Sequence, residues 1–377
     1  MSEASLSPLV FAWSQFGPYH MDRCEALGQA LTGRRQVVGL ELVSQGEVYD
    51  WAPSGEGRAF RKLTLFPGER FSQVPAWRHL AALLRASLRL RARYVFLCDF
   101  QLLPIFLAAC LLRLLGRRVI VMQDSKFDDK QRSLWRELGK AVLYRPYNAA
   151  FVGGRRSQSY LEFLGMPAER IVTGYDTVSM ERLARLAGTD RPAHAERHFS
   201  VIARFVPEKN LELALDAYAA YRRRCSGPPR ALLLCGAGPL EDDLKRRVAE
   251  VGIDGVRFCG WLDDHEVARV LASSLALVLP STEEPFGLVV NEAIALGVPV
   301  LLAENCGARD HLVRSGVDGY VIEPDNAEGL SVLMERLARD EAEWQRLSAN
   351  TKLFRSAADT AAFVAGVEEL LQRLERT

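Results

Sequence analysis

The sequence predicts an α/β chain of two consecutive parallel-sheet domains, and three observations carry that prediction. Short apolar runs rich in Val, Leu and Ile alternate with amphipathic stretches at helical spacing along the whole chain, the pattern of parallel sheets covered by helices. The alternation lapses between residues 180 and 197, where ERLARLAGTDRPAHAER is polar, rich in Ala and Arg, and holds Gly188 and Pro192. Finally, 377 residues exceed one typical core and suffice for two ordinary domains.

In the first domain, residues 1–180, strands are expected at 8–13, 36–42, 94–98, 118–122, 149–152 and 170–173, with helices at 22–31, 75–90, 103–115, 131–143 and 155–164. A linker is expected over 181–197. The second domain, 198–345, has strands near 198–203, 230–234, 256–259, 275–279, 298–303 and 319–322, and residues 346–377 read as terminal helices. Two such Rossmann-like domains place ligands at the carboxyl ends of their strands. The most membrane-like stretch, 102–115, is short and contains Arg113, so it reads as a buried helix rather than a span. MSEASLSPLV leads directly into a strand, and no secretory leader is expected.

Composition narrows the class further. With 49% hydrophobic and 25% charged residues the chain fits a soluble globular enzyme and excludes disordered or fibrous proteins. The net charge of +1 conceals an asymmetry: residues 1–190 hold 26 Lys+Arg against 18 Asp+Glu, and residues 191–377 hold 22 against 29. A basic first half either meets an anionic membrane surface or acidic acceptor, or simply solvates Arg-rich helices. Nucleic acid is not expected, because the basic residues are dispersed and carry no binding motif. Seven cysteines without a CxxC pair read as reduced and packed, as in a cytoplasmic protein, at most at the inner membrane face.

The chemistry concentrates in residues 280–297, PSTEEPFGLVVNEAIALG. An apolar strand precedes this stretch, a turn cluster opens it, and Gly287 starts a helix whose apolar positions Leu288, Val289, Ala293, Ile294 and Leu296 fit one face. The amides of Phe286, Gly287 and Leu288 then point from the helix's positive end, where a diphosphate sits favourably. Glu284 and Glu292 flank that point, and a carboxylate accepts hydrogen bonds from vicinal hydroxyls. That layout suits a nucleotide sugar: sugar, diphosphate, ribose. Upstream, Arg204 and Lys209 in RFVPEKN converge from one strand-to-helix loop. Such a pair suits a diphosphate leaving group, although an Arg and a Lys in a loop are more often surface residues.

Both segments resemble signatures of the family 4 retaining glycosyltransferases (glycosyl transferases group 1): PSTEEPFGLVVNEAIALG their E-x7-E element, RFVPEKN their R-x4-K element. The resemblance implies the GT-B fold, two Rossmann-like domains facing across a cleft, with the last helix crossing back onto the first domain through Phe363, Val367, Leu370 and Leu371. It implies a nucleoside-diphosphate-sugar donor, a hydroxyl acceptor and no metal cofactor. It assigns the donor sugar to Glu284, the ribose to Glu292, and the sugar and phosphates to the amides of Phe286, Gly287 and Leu288. Front-face attack is implied as well, with the leaving phosphate taking the acceptor's proton.

Further residues follow from the same comparison. Gly236, in the turn CGAGP, borders the family's nucleotide site, and CGWLDD matches its base-reading loop around Trp261 and Leu262; Trp261 is equally read as core. Gly17 matches the glycine loop facing the donor, here followed by Pro18, and His20 either meets acceptor or caps a helix. Many relatives carry a histidine where this chain has Gln123, followed by Asp124 and Lys126 as acceptor candidates. Asp176 either lines the cleft or ends its strand. The Asp128-Asp129 pair lacks further ligands at metal spacing and is not read as a metal site. Rival readings are a phosphorylase, an epimerase, or a catalytically silent partner in polysaccharide assembly. A dehydrogenase is disfavoured, because the glycine turn lacks the third glycine of a dinucleotide fingerprint.

Overall fold

The computed structural model describes residues 6–47, 51, 55–129 and 132–376. Residues 1–5, part of the stretch read as lacking a leader, and Gln131, the expected start of a helix, lie outside them. The chain divides into two compact units, the first closing at Val178 and the second holding Ser179–Asp359 together with Asp128 and Asp129, while the helix from Thr360 belongs to the first.

Unit 1 runs β1 (Leu6–Trp13), α1 (Pro18–Ala30), β2 (Arg35–Gln45), β3 (Arg61–Arg70), α2 (Ala76–Arg89), β4 (Tyr94–Leu97), α3 (Leu103–Leu114), β5 (Arg118–Gln123), α4 (Leu134–Tyr144), β6 (Ala149–Val152), α5 (Arg155–Phe163) and β7 (Ile171–Thr173). Unit 2 runs α6 (Met180–Ala187), β8 (His198–Ile202), α7 (Leu211–Arg224), β9 (Leu232–Cys235), α8 (Glu241–Val251), β10 (Val256–Gly260), α9 (Asp264–Ala272), β11 (Ser274–Leu279), α10 (Leu288–Ala295), β12 (Val300–Ala303), α11 (Arg309–Leu312), β13 (Gly319–Ile322), α12 (Ala327–Arg339), α13 (Glu341–Asn350) and α14 (Arg355–Ala358). The last helix is α15 (Thr360–Glu375).

Both sheets are parallel: β3-β2-β1-β4-β5-β6-β7 in unit 1 and β10-β9-β8-β11-β12-β13 in unit 2. In each, the chain order reverses beside the unit's first strand, between β1 and β4 and between β8 and β11. Loops leaving the strands at such a switch point diverge to opposite sides and open a crevice at their carboxyl ends. The central strands are buried on both faces, as their near-continuous Val, Leu and Ile runs require.

α15 packs on unit 1 through Phe363, Val367, Leu370, Leu371 and Leu374, all buried with Leu9, Phe11 and Phe151. Burying five such side chains contributes on the order of 10 kcal/mol, comparable to the whole stability of a domain. The helix is therefore part of that core.

Four features depart from the sequence reading. β3 is an additional edge strand; its Pro67 and Gly68 normally mark turns, and only Leu63 and Leu65 lean on the core. The expected linker begins with a helix, α6: the Ser179 hydroxyl accepts from the Arg182 amide at 3.2 Å, and Met180, Leu183 and Ala187 face inward at helical spacing. α10 is enclosed on more than one face, with Asn291 and Glu292 buried alongside Ala293 and Ile294, whereas Leu288 and Val289 remain partly exposed. α3 is not a buried helix: Pro104, Ile105, Ala108, Ala109 and Leu112 face the core, but its other side is a row of exposed leucines. All seven cysteines are free, and among the described residues no helix is long and apolar enough to cross a membrane.

Candidate active site

In unit 2 the loops that leave β8 and β11 meet at the switch point. The first carries Arg204, a short 3-10 turn at Pro207–Lys209, and Asn210 in the left-handed region at φ 53°. From there the Asn210 side-chain Nδ2 donates to Pro280 O at 3.1 Å and to Pro324 O at 2.7 Å, tying the two loops to a third. The Thr282 amide donates to Glu208 O at 3.0 Å. Across this seam the Lys209 ammonium donates to Glu284 Oε2, and the Ser281 hydroxyl reaches the same oxygen at 3.3 Å. Both charged side chains are largely withdrawn from water, so each charge depends on its partner for compensation.

The loop after β12 supports the arrangement from behind. Gly307 N donates to Glu284 O at 3.0 Å, Ala308 N to Phe286 O at 2.9 Å, and the Cys306 thiol to the same carbonyl at 2.9 Å. Gly287, the N-cap of α10, has φ 95°, and a Cβ there would stand 3.0 Å from Cys306 Sγ and 3.2 Å from Glu284 Cγ. Only glycine fits, and the Glu284 stem consequently lies against the entry to α10. The first amides of that helix have no intrahelical acceptor and carry its positive end. Glu292 sits one turn further on, buried.

Gly236 is demanded by packing: at φ 139°, an added Cβ would come within 1.9 Å of Ala203 O, in the loop that bears Arg204. Its amide donates to Gly260 O at 2.7 Å, and Phe205 N to Ala237 O at 2.9 Å. Arg204 itself is exposed in that loop. Trp261, after β10, is 58% exposed, which overturns its reading as core; Leu262 beside it is partly buried. Asn210, Ser281 and Cys306 escaped the sequence reading. Only Asn210 left a signal, as an asparagine between a Pro-Glu-Lys turn and a helix, where the left-handed conformation is tolerated.

In unit 1 the candidates gather at the carboxyl ends of β1, β5 and β7. Gly17 is the N-cap of α1 and lies beneath the Trp51 indole, where a Cβ would approach the ring to 2.5 Å. His20 acts as a cap: its Nδ1 accepts from the Gly17 amide at 2.9 Å, among the rings of Trp13, Phe16 and Trp51. Burial, and then the Arg23 guanidinium, hold this imidazole well below its ordinary range. A depressed histidine contributes stability above the unfolded value of about 6.5 that is lost as pH falls toward the folded value. Relative to the native chain, His20→Phe is expected to flatten the fall in melting temperature below neutrality, as a circular-dichroism series would record.

Gln123 ends β5, is only 4% exposed, and neither of its amide atoms has a hydrogen-bond partner among the described residues. Asp124 follows it, partly buried, its carbonyl accepting from the Ser157 hydroxyl at 2.7 Å. Lys126, the third candidate here, is fully enclosed. Asp176 neither lines a surface nor merely ends β7: it is buried against Arg23 at 3.2 Å, and burial, outweighing that guanidinium, raises its carboxyl to about 6. Asp99, unforeseen from sequence, adopts φ 55° after β4 and accepts from the Ser14 hydroxyl at 2.5 Å. Aspartate tolerates left-handed backbone better than most non-glycine residues, since its short side chain bonds locally. Among the described residues no three His, Cys, Asp or Glu side chains cluster as metal ligands.

Residues 191–354 match the model of the glycosyl transferases group 1 family. The lipopolysaccharide core biosynthesis glycosyltransferase LpsE of Rhizobium meliloti is 29% identical over 48% of this chain and 50% of its own length. Glycogen synthase of Mycobacterium tuberculosis is 34% identical over 41% of this chain and 37% of its own. The matched segment thus spans half or less of these curated relatives. Anabaena HepE, solved in complex with UDP and glucose, superposes with a TM-score of 0.72 over 97% of this chain and 100% of its own at 17% identity. Residues 191–354 are thus similar to the glycosyl transferases group 1 family, and the backbone of the chain has the GT-B fold of the solved neighbours.

Proposed function

We propose that the chain is a metal-independent, retaining glycosyltransferase that moves a hexosyl group from a nucleoside-diphosphate sugar to a hydroxyl acceptor. The observation that carries this reading is the contact between Lys209 and Glu284 against the entry to α10, where the loops of β8 and β11 meet. Glu284 holds hydroxyls of the donor sugar, Glu292 the ribose, and Gly236, Trp261 and Leu262 border the nucleotide. Lys209 and Arg204, with the amides of Phe286, Gly287 and Leu288, neutralise the diphosphate as it departs. That charge set does the work a divalent cation would otherwise do. UDP and glucose in HepE support a nucleotide-sugar donor.

In this mechanism the bond from the anomeric carbon to the β-phosphate oxygen breaks, and the acceptor oxygen bonds to the same face of that carbon. The acceptor's proton passes to the leaving phosphate. No second carboxylate is required, unlike the paired acid and base of a glycosidase. Gln123, buried and unsatisfied at the end of β5, offers a donor and an acceptor to a sugar hydroxyl. Pathway and localisation follow the acceptor: synthesis of a glycan, glycolipid or glycoside, in the cytoplasm or at the inner face of the membrane.

The test is release of nucleoside diphosphate from a panel of nucleotide sugars in excess EDTA, with the anomeric configuration of the product followed by NMR. Turnover in EDTA with the donor's configuration preserved is expected. An absolute metal requirement, or an inverted product, contradicts the proposal.

A further inference from the structure

The helices that cover one face of the unit 1 sheet expose an apolar surface the sugar-transfer reading does not use. α2, α3, α4 and α5 all contribute to the core on that face, and α2 packs beside α3. Of the 17 large hydrophobic residues that stand exposed among the described residues, 13 fall between Trp77 and Phe163. Isolated exposed leucines are ordinary, but contiguous apolar patches on soluble domains are rare and mark contact surfaces.

The positions are periodic. On α3 and its C-cap, Leu103, Leu107, Leu111, Leu114 and Leu115 form one outward stripe, with Leu114 81% exposed. On α4, Leu134, Trp135, Leu138 and Val142 form another, with Trp135 80% exposed, while Glu137 and Tyr144 face inward. α2 adds Trp77 and Leu88, flanked by exposed Arg78, Arg85 and Arg89. Residues 75–163 hold 16 Lys+Arg against 6 Asp+Glu, a net charge of +10. Helices with Trp and Leu on an outward face and arginines beside it lie in the boundary between lipid headgroups and acyl chains.

We infer that this α2–α4 face docks the protein onto a bilayer containing anionic phospholipid. Charge complementarity selects that occupant. A second copy meeting the first through the same face would bring the exposed arginines of two identical surfaces together, and like-charge juxtaposition disfavours such a contact. An anionic bilayer takes up the arginines and the projecting Leu and Trp side chains together, each arginine near its surface favouring binding roughly fivefold.

The experiment is flotation of the full chain with vesicles of phosphatidylcholine alone and of phosphatidylcholine mixed equally with phosphatidylglycerol. Binding to the anionic vesicles, reversed by salt and absent on the neutral ones, is expected. Arg85→Gln with Arg89→Gln lowers the partition coefficient roughly 25-fold, and Leu111→Ser with Leu114→Ser lowers it about tenfold or more. All four positions are exposed, so the variants keep the native melting temperature. Failure to float with anionic vesicles, or binding that neither pair of substitutions weakens, overturns the inference. Equally, self-association in sedimentation that Leu111→Ser with Leu114→Ser abolishes, without vesicle binding, assigns the face to a second copy instead. Flotation reads neither donor nor acceptor, so its outcome is independent of the sugar-transfer reading.

Discussion

Glu284→Ala is expected to lower turnover of the nucleotide sugar by roughly 10²- to 10³-fold, the loss typical when one preorganised group at the reacting centre is removed. The carboxylate is held by Lys209 and Ser281 and backed by the backbone contacts of Gly307 and Ala308. A group fixed that firmly meets a ligand hydroxyl without further ordering. Glu284→Gln keeps the acceptor oxygen and loses the charge, so its defect is expected to be smaller than that of alanine. Steady-state release of nucleoside diphosphate measures both, with melting temperature as the control for folding.

Lys209→Met is expected to produce a comparable loss, larger on kcat than on KM, because diphosphate charge grows as the glycosidic bond breaks. Lys209 and Glu284 touch, and residues in direct contact do not act additively. Removing either leaves the other's largely buried charge without its partner. The Lys209→Met/Glu284→Ala double variant is therefore expected to be little worse than the poorer single variant. Losses that multiply would mean that the two groups act separately, against the arrangement described here.

The site was legible because its residues lie in two short segments whose types and spacing survive without knowledge of the fold. Which loops meet was not legible. Strand order brings β8 beside β11, and no local pattern in either loop records that neighbour. Asn210 binds two carbonyls distant in sequence, and Gly236 is required by Ala203 O in the loop after β8, a neighbour that the CGAGP turn does not record. α6 carried ordinary helix signals in Ser179, Met180, Leu183 and Ala187, masked by the polar segment that follows. β3 was hidden by Pro67 and Gly68. α3 misled in the opposite direction: its uniform apolarity resembles a core helix, and only the packed layer reveals that five leucines face outward.

The proposed nucleoside-diphosphate-sugar site of unit 2 lies at Lys209, Glu284 and the entry to α10. Its most direct test is calorimetric titration of the full chain in EDTA with UDP-, GDP-, ADP- and dTDP-glucose and with NAD(H), repeated on Glu284→Ala and Lys209→Met. Selective binding of one nucleotide sugar without metal, weakened in both variants, is the predicted result. Binding of NAD(H) alone, or nucleotide-sugar binding that both variants retain in full, would contradict it.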